Sequence, residues 1–212
     1  MYSLQDKNIF NIAIKGVFDD CQDIVKAVSN DLEFKNLNKI GAVNSINWGR
    51  ILAQIGYYFK GYFDVTSKNS EKVDFTVPTG NFGNICAVMM AKASVLPLGH
   101  FVAACNANNV VTRYLQTGNY EIHKAVATVS NAMDVGNPSN FIRIMEIMKN
   151  NFESLQKGLS SYSYDDAATA SAIHRVYKTN HYILDPHGAV AFLAAEQFIK
   201  EQEGARAIIL ET

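Results

Sequence analysis

This sequence has almost no net charge, few cysteines and no long apolar run. Its 212 residues include 19 lysines and arginines against 20 aspartates and glutamates, which leaves a formal net charge of -1. Such a balanced chain offers no general attraction to nucleic acid or to anionic membrane surfaces. No apolar run is long enough to span a bilayer, and the N-terminal "MYSLQDKN" lacks the pattern of a signal peptide. We therefore expect a soluble, cytoplasmic protein.

The three cysteines are too few and too dispersed for a disulfide framework. Cys21, Cys86 and Cys105 each lie in an apolar context, so buried free thiols in a reducing compartment are the favoured interpretation. Neither the cysteines nor the five histidines show the spacing of metal ligands, and no metal site is expected. The length allows one large domain or two small ones, with a sizeable core.

Apolar strands and helix-spaced apolar stripes alternate along the chain. Strands are predicted at "NIFNIAIKG", "VDFTV", "HFVAAC" and "ARAIIL", with helices between them. Asp19 and Ser45 are the predicted N-caps of the first two helices, and Gly118 is the predicted end of a later one. The polar stretch "DVTSKNSEK" begins the second of two predicted substructures, residues 1–63 and residues 64–212. This alternation predicts α/β layers with parallel strands.

The segment "TGNFGN", Thr79 to Asn84, lies where a predicted strand becomes a helix. A helix N-terminus presents unpaired N–H groups and the positive end of the helix dipole, and it therefore binds anions. Glycine lets the main chain approach a phosphate closely, and Thr79, Asn81 and Asn84 add short hydrogen-bonding side chains. The loop has neither the Gly-Lys-Ser/Thr end of a P-loop nor the GxGxxG of dinucleotide sites. A main-chain phosphate site and a plain strand-to-helix turn are both open at this point.

Further candidate ligand-binding side chains lie outside this loop. Thr212 comes just past the carboxyl end of the last predicted strand, the edge at which open α/β sheets bind ligands. Arg50 carries a guanidinium that suits an oxyanion, and Asn44 and Ser45 could assist it from the start of the same helix. The alternative is a capped helix with Arg50 on a solvated face. Thr212 alone is more simply a polar residue that leaves a strand.

Other polar residues have simpler structural explanations. Asn106 and Asn108 follow a predicted strand, where a turn and a helix cap account for them. Packing or main-chain hydrogen bonding at the start of a helix accounts for His187. None of these three residues is assigned a ligand or a catalytic role.

Several blocks of the sequence resemble threonine synthase, an enzyme of the fold-type-II group that depends on pyridoxal phosphate. The blocks are "GVFDDCQDIVK", "NSINWGRILAQIGYYF", "VPTGNFGN", "LPLGHFVAACNANNVVTRYLQTGNY", "AMDVGNPSNF" and "LDPHGAVAFLAAE". They occur in order and at plausible spacing over nearly the whole chain. The resemblance implies a three-layer α/β/α fold with a mainly parallel sheet, similar to the β subunit of tryptophan synthase. It also implies a lyase of threonine biosynthesis.

The resemblance further implies roles for particular residues. In similar enzymes the phosphate of the cofactor is held by the loop that matches Gly80, Asn81, Phe82, Gly83 and Asn84. Thr212 matches a threonine that hydrogen-bonds the pyridine nitrogen of the cofactor. The expected substrate is O-phospho-L-homoserine, which such enzymes convert with water into L-threonine and phosphate. Residues 64–212 are then expected to form the phosphate-binding domain, and residues 1–63 part of a smaller α/β substructure.

The departure that matters most is a missing lysine. The Schiff-base lysine of the family lies in an N-terminal "FKD"-type block ahead of a "GTSGDTG" loop, and this sequence has neither. No other lysine inherits the role, so no catalytic residue is assigned. The chain ends inside the family's "TAHPAKF" block, and Gly188 replaces the threonine of "DPHTA". We expect a fragment that holds the cofactor-phosphate half of the enzyme. A non-catalytic module that binds a phosphate ligand or acts as a scaffold is the alternative.

The purified 212-residue chain is expected to form no threonine from O-phospho-L-homoserine and pyridoxal phosphate. The lysine that should bind the cofactor and move protons is missing, although weak noncovalent binding of the cofactor is compatible with the loop. Amino-acid analysis of the reaction mixture measures the product directly. Threonine above the level of a heat-denatured sample would show that the expectation is wrong.

Overall fold

A parallel sheet of four strands forms the centre of the larger of two units in the computed structural model. The structure describes residue 4 and residues 6–211. Within them the strands are β1 (Val73–Pro78), β2 (Leu98–Cys105), β3 (Leu159–Ser163) and β4 (Ala207–Ile209), in the sheet order β3-β2-β1-β4. Each neighbouring pair is parallel, which confirms the predicted parallel sheet.

Helices cover both faces of this sheet. The helices of the described residues are α1 (Phe18–Asn30), α2 (Leu32–Leu37), α3 (Trp48–Val65), α4 (Gly83–Ser94), α5 (Val110–Thr117), α6 (Phe141–Ile147), α7 (Phe152–Gly158), α8 (Asp166–Asn180) and α9 (Pro186–Glu201). On one face Tyr58 of α3 and Ile85 of α4 pack with Phe75 of β1. On the other face Val190 of α9 packs with Val102 of β2. The predicted three-layer α/β/α arrangement is therefore confirmed.

Strand β1 is buried on both faces because helices pack on both faces of the sheet and β1 lies inside it, between β2 and β4. Val73, Phe75 and Val77 belong to the core shared with α3 and α4, and Thr76, between them in sequence, is also fully buried. The Phe75 ring meets the Tyr58 ring edge-on, with the ring centroids 5.1 Å apart. Burial of a phenylalanine side chain stabilises the fold by about 1.5–3 kcal/mol. This packing holds β1, and therefore the loop that follows it, in a fixed position.

Two of the predicted helix caps are wrong. Helix α3 begins after Asn47, whose side chain accepts a hydrogen bond from Gly49 N–H at 2.9 Å, so Ser45 is not its cap. Helix α1 begins two residues earlier than expected, with Val17 rather than Asp19 in the N-cap position. The Asp20 carboxylate, in the first turn, accepts a hydrogen bond from Val17 N–H at 2.7 Å. This reaches back to the N-cap amide as the glutamate of a capping box does.

The smaller unit, Met1–Gly41, contains α1 and α2. The strand predicted at Asn8–Gly16 is wrong, because this segment is irregular and no strand of the described residues pairs with it. The larger unit is Ala42–Thr212, and α3 runs across the predicted boundary between residues 63 and 64. The division into residues 1–63 and 64–212 stays a prediction. Among the described residues, no helix has the length and apolar character needed to cross a membrane.

Most of the remaining predicted elements are present. Gly118 ends α5 in the left-handed conformation, with φ of 73°. The strand predicted in "ARAIIL" is β4, but its three residues are half-buried rather than enclosed. It pairs with β1 on one side, and no strand of the described residues lies on its other side. Strand β3 and helix α7 were not predicted.

The core has a direct consequence for the thiols. The expectation of burial is confirmed for Cys86 and Cys105, whereas Cys21 is only partly buried, and all three are free. Burial raises the pKa of Cys86 to about 11 and also raises the pKa of Cys105. An unfolded thiol ionises near about pH 8.5. Above that pH the unfolded chain releases protons that the folded chain keeps, so stability falls as the pH rises toward about 11.

A thiol-reactive chromogenic disulfide should therefore label the native chain unevenly. At about pH 8 we expect Cys21 to react first, and Cys86 and Cys105 to react only as the chain unfolds, because a buried thiol is neutral and inaccessible. Counting the thiols that react before and after addition of denaturant measures this. Fast labelling of all three thiols in the folded chain would contradict the described core.

Candidate functional site

The loop after β1 brings a helix N-terminus to the carboxyl edge of the sheet. Thr79 N–H donates to Ala104 O of β2 at 2.8 Å, and this bond extends the strand pairing by one residue. Phe82 is left-handed, with φ of 59°, and α4 starts at the next residue. The first hydrogen bond of the helical type runs from Cys86 N–H to Phe82 O at 3.2 Å. The amides of the first turn before Cys86 therefore have no acceptor in the helix and are available to an anion.

Close contacts favour glycine at both positions of the loop, and most strongly at Gly80. A Cβ atom on Gly80 would lie 2.6 Å from Met133 Cα and 2.9 Å from Met133 O, which are main-chain atoms that cannot rotate away. A Cβ atom on Gly83 would lie 3.1 Å from both Ile51 Cδ1 and Ser45 Cβ. Neither glycine has a positive φ, so space rather than backbone conformation selects glycine here. Phe82, between them, is buried and meets the Phe141 ring edge-on.

The asparagine side chains of the loop make hydrogen bonds to neighbouring protein groups. Asn81 Oδ1 accepts hydrogen bonds from Ser139 N–H at 2.6 Å and Ser139 Oγ at 2.9 Å, and Asn81 Nδ2 donates to Ser45 Oγ at 2.9 Å. Tyr58 O–H donates to Asn84 Oδ1 at 2.6 Å. Asn81 is therefore bonded to the protein through both its oxygen and its nitrogen, whereas Asn84 is bonded through its side-chain oxygen. The assignment of these two residues to a phosphate stays a prediction. The main-chain amides at the start of α4 are further donors at this loop.

Of the three predicted substrate-binding residues, only Ser45 is joined to this loop. Its Oγ accepts hydrogen bonds from Asn81 Nδ2 and from Asn140 Nδ2, the latter at 3.1 Å. Asn44 Oδ1 accepts a bond from Ile46 N–H, and Arg50 donates to Val43 O at 2.8 Å. These bonds of Asn44 and Arg50 are local to the start of α3.

Arg143 is a member of the same cluster that sequence reasoning missed. Its guanidinium donates to Ser45 O at 3.0 Å and Ile46 O at 2.7 Å, and also to Asn140 Oδ1. It therefore ties α6 to the segment that precedes α3. The sequence offers no local signal for this role, because Arg143 lies in an apolar helix far along the chain from Ser45.

A buried polar network follows β2 and holds the segment that packs on Gly80. We call residues 128–134 the covering loop. Asn106 is 1% exposed, and its Nδ2 donates to Asp134 Oδ1 at 2.9 Å and to Thr128 Oγ1 at 2.8 Å. Asn108 Nδ2 donates to Asp134 Oδ1 at 3.0 Å. The expectation that Asn106 and Asn108 serve only a turn and a helix cap is therefore too narrow. They connect β2 to the covering loop.

His187 supports the covering loop from α9. Its Nε2 accepts a hydrogen bond from Ala132 N–H at 3.3 Å, so the proton lies on Nδ1, which donates to Asp185 Oδ1 at 2.8 Å. The same Asp185 oxygen accepts a bond from His187 N–H at 2.7 Å and caps α9. This is the main-chain bonding expected of His187 from its place at a helix start.

A cavity of about 580 Å³ opens at the opposite edge of the sheet. Its lining includes Asp74 near the start of β1, His100 near the start of β2 and Ser160 near the start of β3. Burial lowers the pKa of His100, and its Nε2 lies 2.9 Å from Ser160 Oγ. Ligands of parallel sheets bind at the carboxyl ends of the strands, where the loop after β1 lies. This cavity therefore does not mark the candidate site.

A sequence profile of the family described as "Pyridoxal-phosphate dependent enzyme" matches residues 6–210. The chain belongs to this family. The cofactor of pyridoxal-phosphate dependent enzymes ends in a phosphate, which is the kind of anion that the loop after β1 suits.

Individual members of the pyridoxal-phosphate family are similar over most of the chain. A threonine synthase of Methylobacillus glycogenes is 57% identical over 68% of this chain and 31% of its own length. The crystal structure of threonine synthase from Escherichia coli has a TM-score of 0.85 at 35% identity, over 93% of this chain and 45% of that one. A pyridoxal-phosphate-bound threonine synthase from Brucella melitensis has a TM-score of 0.80 at 34% identity, over 94% and 48%. The chain spans less than half the length of each.

The described residues fit the phosphate of the family's cofactor. Gly80 and Gly83 keep the loop clear of Cβ atoms, and the amides at the start of α4 have no helical acceptor. The predicted loop residues, Gly80 to Asn84, therefore lie together at one helix start, and their assignment to the phosphate stays a prediction. Thr212, the predicted partner of the pyridine nitrogen, lies outside the described residues.

Replacement of Gly80 by alanine should disturb this loop more than an ordinary glycine substitution does. The new Cβ would overlap the Met133 main chain, so we expect Gly80→Ala to destabilise the chain by about 1–3 kcal/mol. Gly56→Ala is the matched control, because it lies inside α3 and a Cβ there would meet nothing within 4 Å. It should stabilise the chain by about 0.5–1 kcal/mol. Urea denaturation measures both, and equal effects would contradict the close contact.

Proposed function

We propose that this chain is the cofactor-phosphate-binding part of a threonine synthase that acts on O-phospho-L-homoserine. The observation that carries the proposal is the glycine-lined loop at the start of α4, whose first-turn amides lack helical acceptors. The family of the chain and its similarity to proteins named threonine synthase support the same conclusion. A reaction that yields L-threonine and phosphate from O-phospho-L-homoserine and water is the activity proposed for the whole enzyme. The proposal includes the cytoplasm as its location.

The main-chain amides of Gly83, Asn84 and Ile85 would hold the phosphate of the cofactor. When bound, pyridoxal phosphate supplies an electron sink for carbanions that form beside the substrate amine. The protein contributes position and charge complementarity. The macrodipole of α4 adds positive potential at the helix start, and Phe82 anchors the loop in the core. Thr212 is proposed as the neutral hydrogen-bonding partner of the pyridine nitrogen.

Ser45 is the best supported of the three proposed substrate-binding residues. A serine hydroxyl has two acceptor positions and one proton to donate. Asn81 and Asn140 occupy both acceptor positions of Ser45 Oγ. The hydroxyl would therefore bind a phosphate oxygen by donating its proton. Asn44 and Arg50 remain proposed on the sequence alone.

The lysine of α4 does not supply the missing Schiff-base group near this loop. Lys92, the lysine of α4, lies in the last turn of the helix and donates to Gly99 O at 2.6 Å. The helix is 12 residues long. Each residue adds about 1.5 Å, so most of the length of α4 separates Lys92 from the loop. A lysine from another segment is therefore part of the proposal for the whole enzyme.

A chimera tests the proposed activity directly. This chain would replace the matching segment of the Escherichia coli protein, which covers 93% of this chain and whose other segments would supply the lysine. We expect the purified chimera, given pyridoxal phosphate and O-phospho-L-homoserine, to release phosphate and threonine in equal amounts. The matched control is the same chimera with Gly80→Ala, which should be less active because the phosphate loop is displaced. A folded chimera that binds pyridoxal phosphate and releases neither product would contradict the proposed reaction.

A further inference from the structure

Asp134 is the centre of the buried polar network that follows β2 and holds the covering loop against the loop after β1, Thr79 to Asn84. Its charge has the same sign as that of a phosphate. Its Oδ1 accepts hydrogen bonds from Asn106 Nδ2 at 2.9 Å, Asn108 Nδ2 at 3.0 Å and Thr128 Oγ1 at 2.7 Å. Its Oδ2 accepts a bond from Thr128 N–H at 3.0 Å. Two of these partners follow β2 and the third begins the covering loop. One carboxylate therefore joins the end of the sheet to that loop.

The residue next to Asp134 makes the contact that defines the site. Met133 is buried, and its main chain lies against Gly80 so closely that no Cβ fits between them. Met133 N–H donates to Ser130 O at 2.9 Å, and Ser130 Oγ lies 3.1 Å from Asn106 Nδ2. The position of Met133 thus depends on the network around Asp134. The Met133 side chain could not hold this position in place of the network, because a thioether is only a weak hydrogen-bond acceptor.

We propose that Asp134 is a positioning residue for the cofactor phosphate, acting through the covering loop and Gly80. This inference rests on the proposed function. Asp134 would contribute no bond to the phosphate. It would hold the Met133 main chain against Gly80, so that the amides at the start of α4 are already in place when the phosphate arrives.

The direction in which phosphate affinity changes when Asp134 is replaced distinguishes this proposal from a purely electrostatic effect. Removal of a negative charge near an anion site strengthens anion binding if Coulomb attraction alone decides the affinity. Removal of a group that orients the ligand-binding atoms weakens binding, by about 10- to 100-fold where such groups have been replaced around metal sites. Replacement of Asp134 therefore has opposite expected outcomes under the two accounts.

The test compares pyridoxine 5'-phosphate with pyridoxine, which differ in the phosphate and lack the aldehyde that reacts with surface lysines. Equilibrium dialysis gives Kd for each compound with the wild-type chain, Asp134→Asn and Asp134→Ala. We expect Kd for pyridoxine 5'-phosphate to rise by about tenfold or more in Asp134→Ala and by less in Asp134→Asn. Kd for pyridoxine should change little. The ratio of the two constants isolates the phosphate contribution from any general loss of folded protein.

Two further variants control for charge and for folding. Asp31→Asn removes a carboxylate that caps α2, where it accepts a bond from Phe34 N–H at 2.9 Å, and it should leave both constants unchanged. Thr128→Val removes one donor to Asp134 without a change of charge and should raise Kd for the phosphate compound in the same direction. Thr128→Val keeps the test decisive if Asp134→Ala does not fold.

Each outcome distinguishes this inference from the proposed function. Equal or tighter binding of pyridoxine 5'-phosphate by the Asp134 variants, with normal binding by the wild-type chain, overturns the role of Asp134 and leaves the cofactor site intact. A wild-type chain that shows no preference for the phosphate compound overturns both. Weaker binding confined to the phosphate compound in the Asp134 and Thr128 variants supports the proposal.

Discussion

The candidate site depends on the close approach of two segments of the main chain, at Gly80 after β1 and at Met133 in the covering loop. A Cβ on Gly80 would lie 2.6 Å from Met133 Cα, so a larger residue must move one segment or the other. Protein interiors are packed as densely as organic crystals, and they transmit such a displacement rather than absorb it. A displacement of one part therefore moves the others, and these parts are the sheet edge, the covering loop and the first turn of α4.

The anion-binding capacity proposed for this geometry rests on the main chain. Asn81, and the side-chain oxygen of Asn84, are bonded to neighbouring protein groups. These bonds join the loop to its surroundings. Amides fixed in this way need no reorganisation when an anion binds, and each hydrogen bond to a charged group contributes about 1.5–3 kcal/mol. The helix dipole adds to this with the same sign.

Features that depend on residues close together in the sequence could be predicted, whereas features that depend on residues far apart in the sequence could not. The β1–loop–α4 unit is predictable because an alternating strand, two glycines and a helix lie within a short stretch of chain. The choice of Asn47 rather than Ser45 as the cap of α3 could not be predicted, because either side chain can cap a helix locally. Ser45 instead accepts a hydrogen bond from Asn81, which is distant in sequence. Strand β3 was missed because "LSSYS" is polar and pairing with β2 makes it a strand. The role of Asp134 depends on partners such as Asn106, 28 residues away in sequence.

The central claim is that main-chain amides at the start of α4 bind the phosphate of pyridoxal phosphate. A crystal structure of the chain grown with pyridoxal phosphate tests it most directly. We expect the phosphate within hydrogen-bonding distance of the amides of Gly83, Asn84 and Ile85, with Met133 still packed on Gly80. Phosphate density in the cavity beside His100, with those amides bonded only to water, would contradict it.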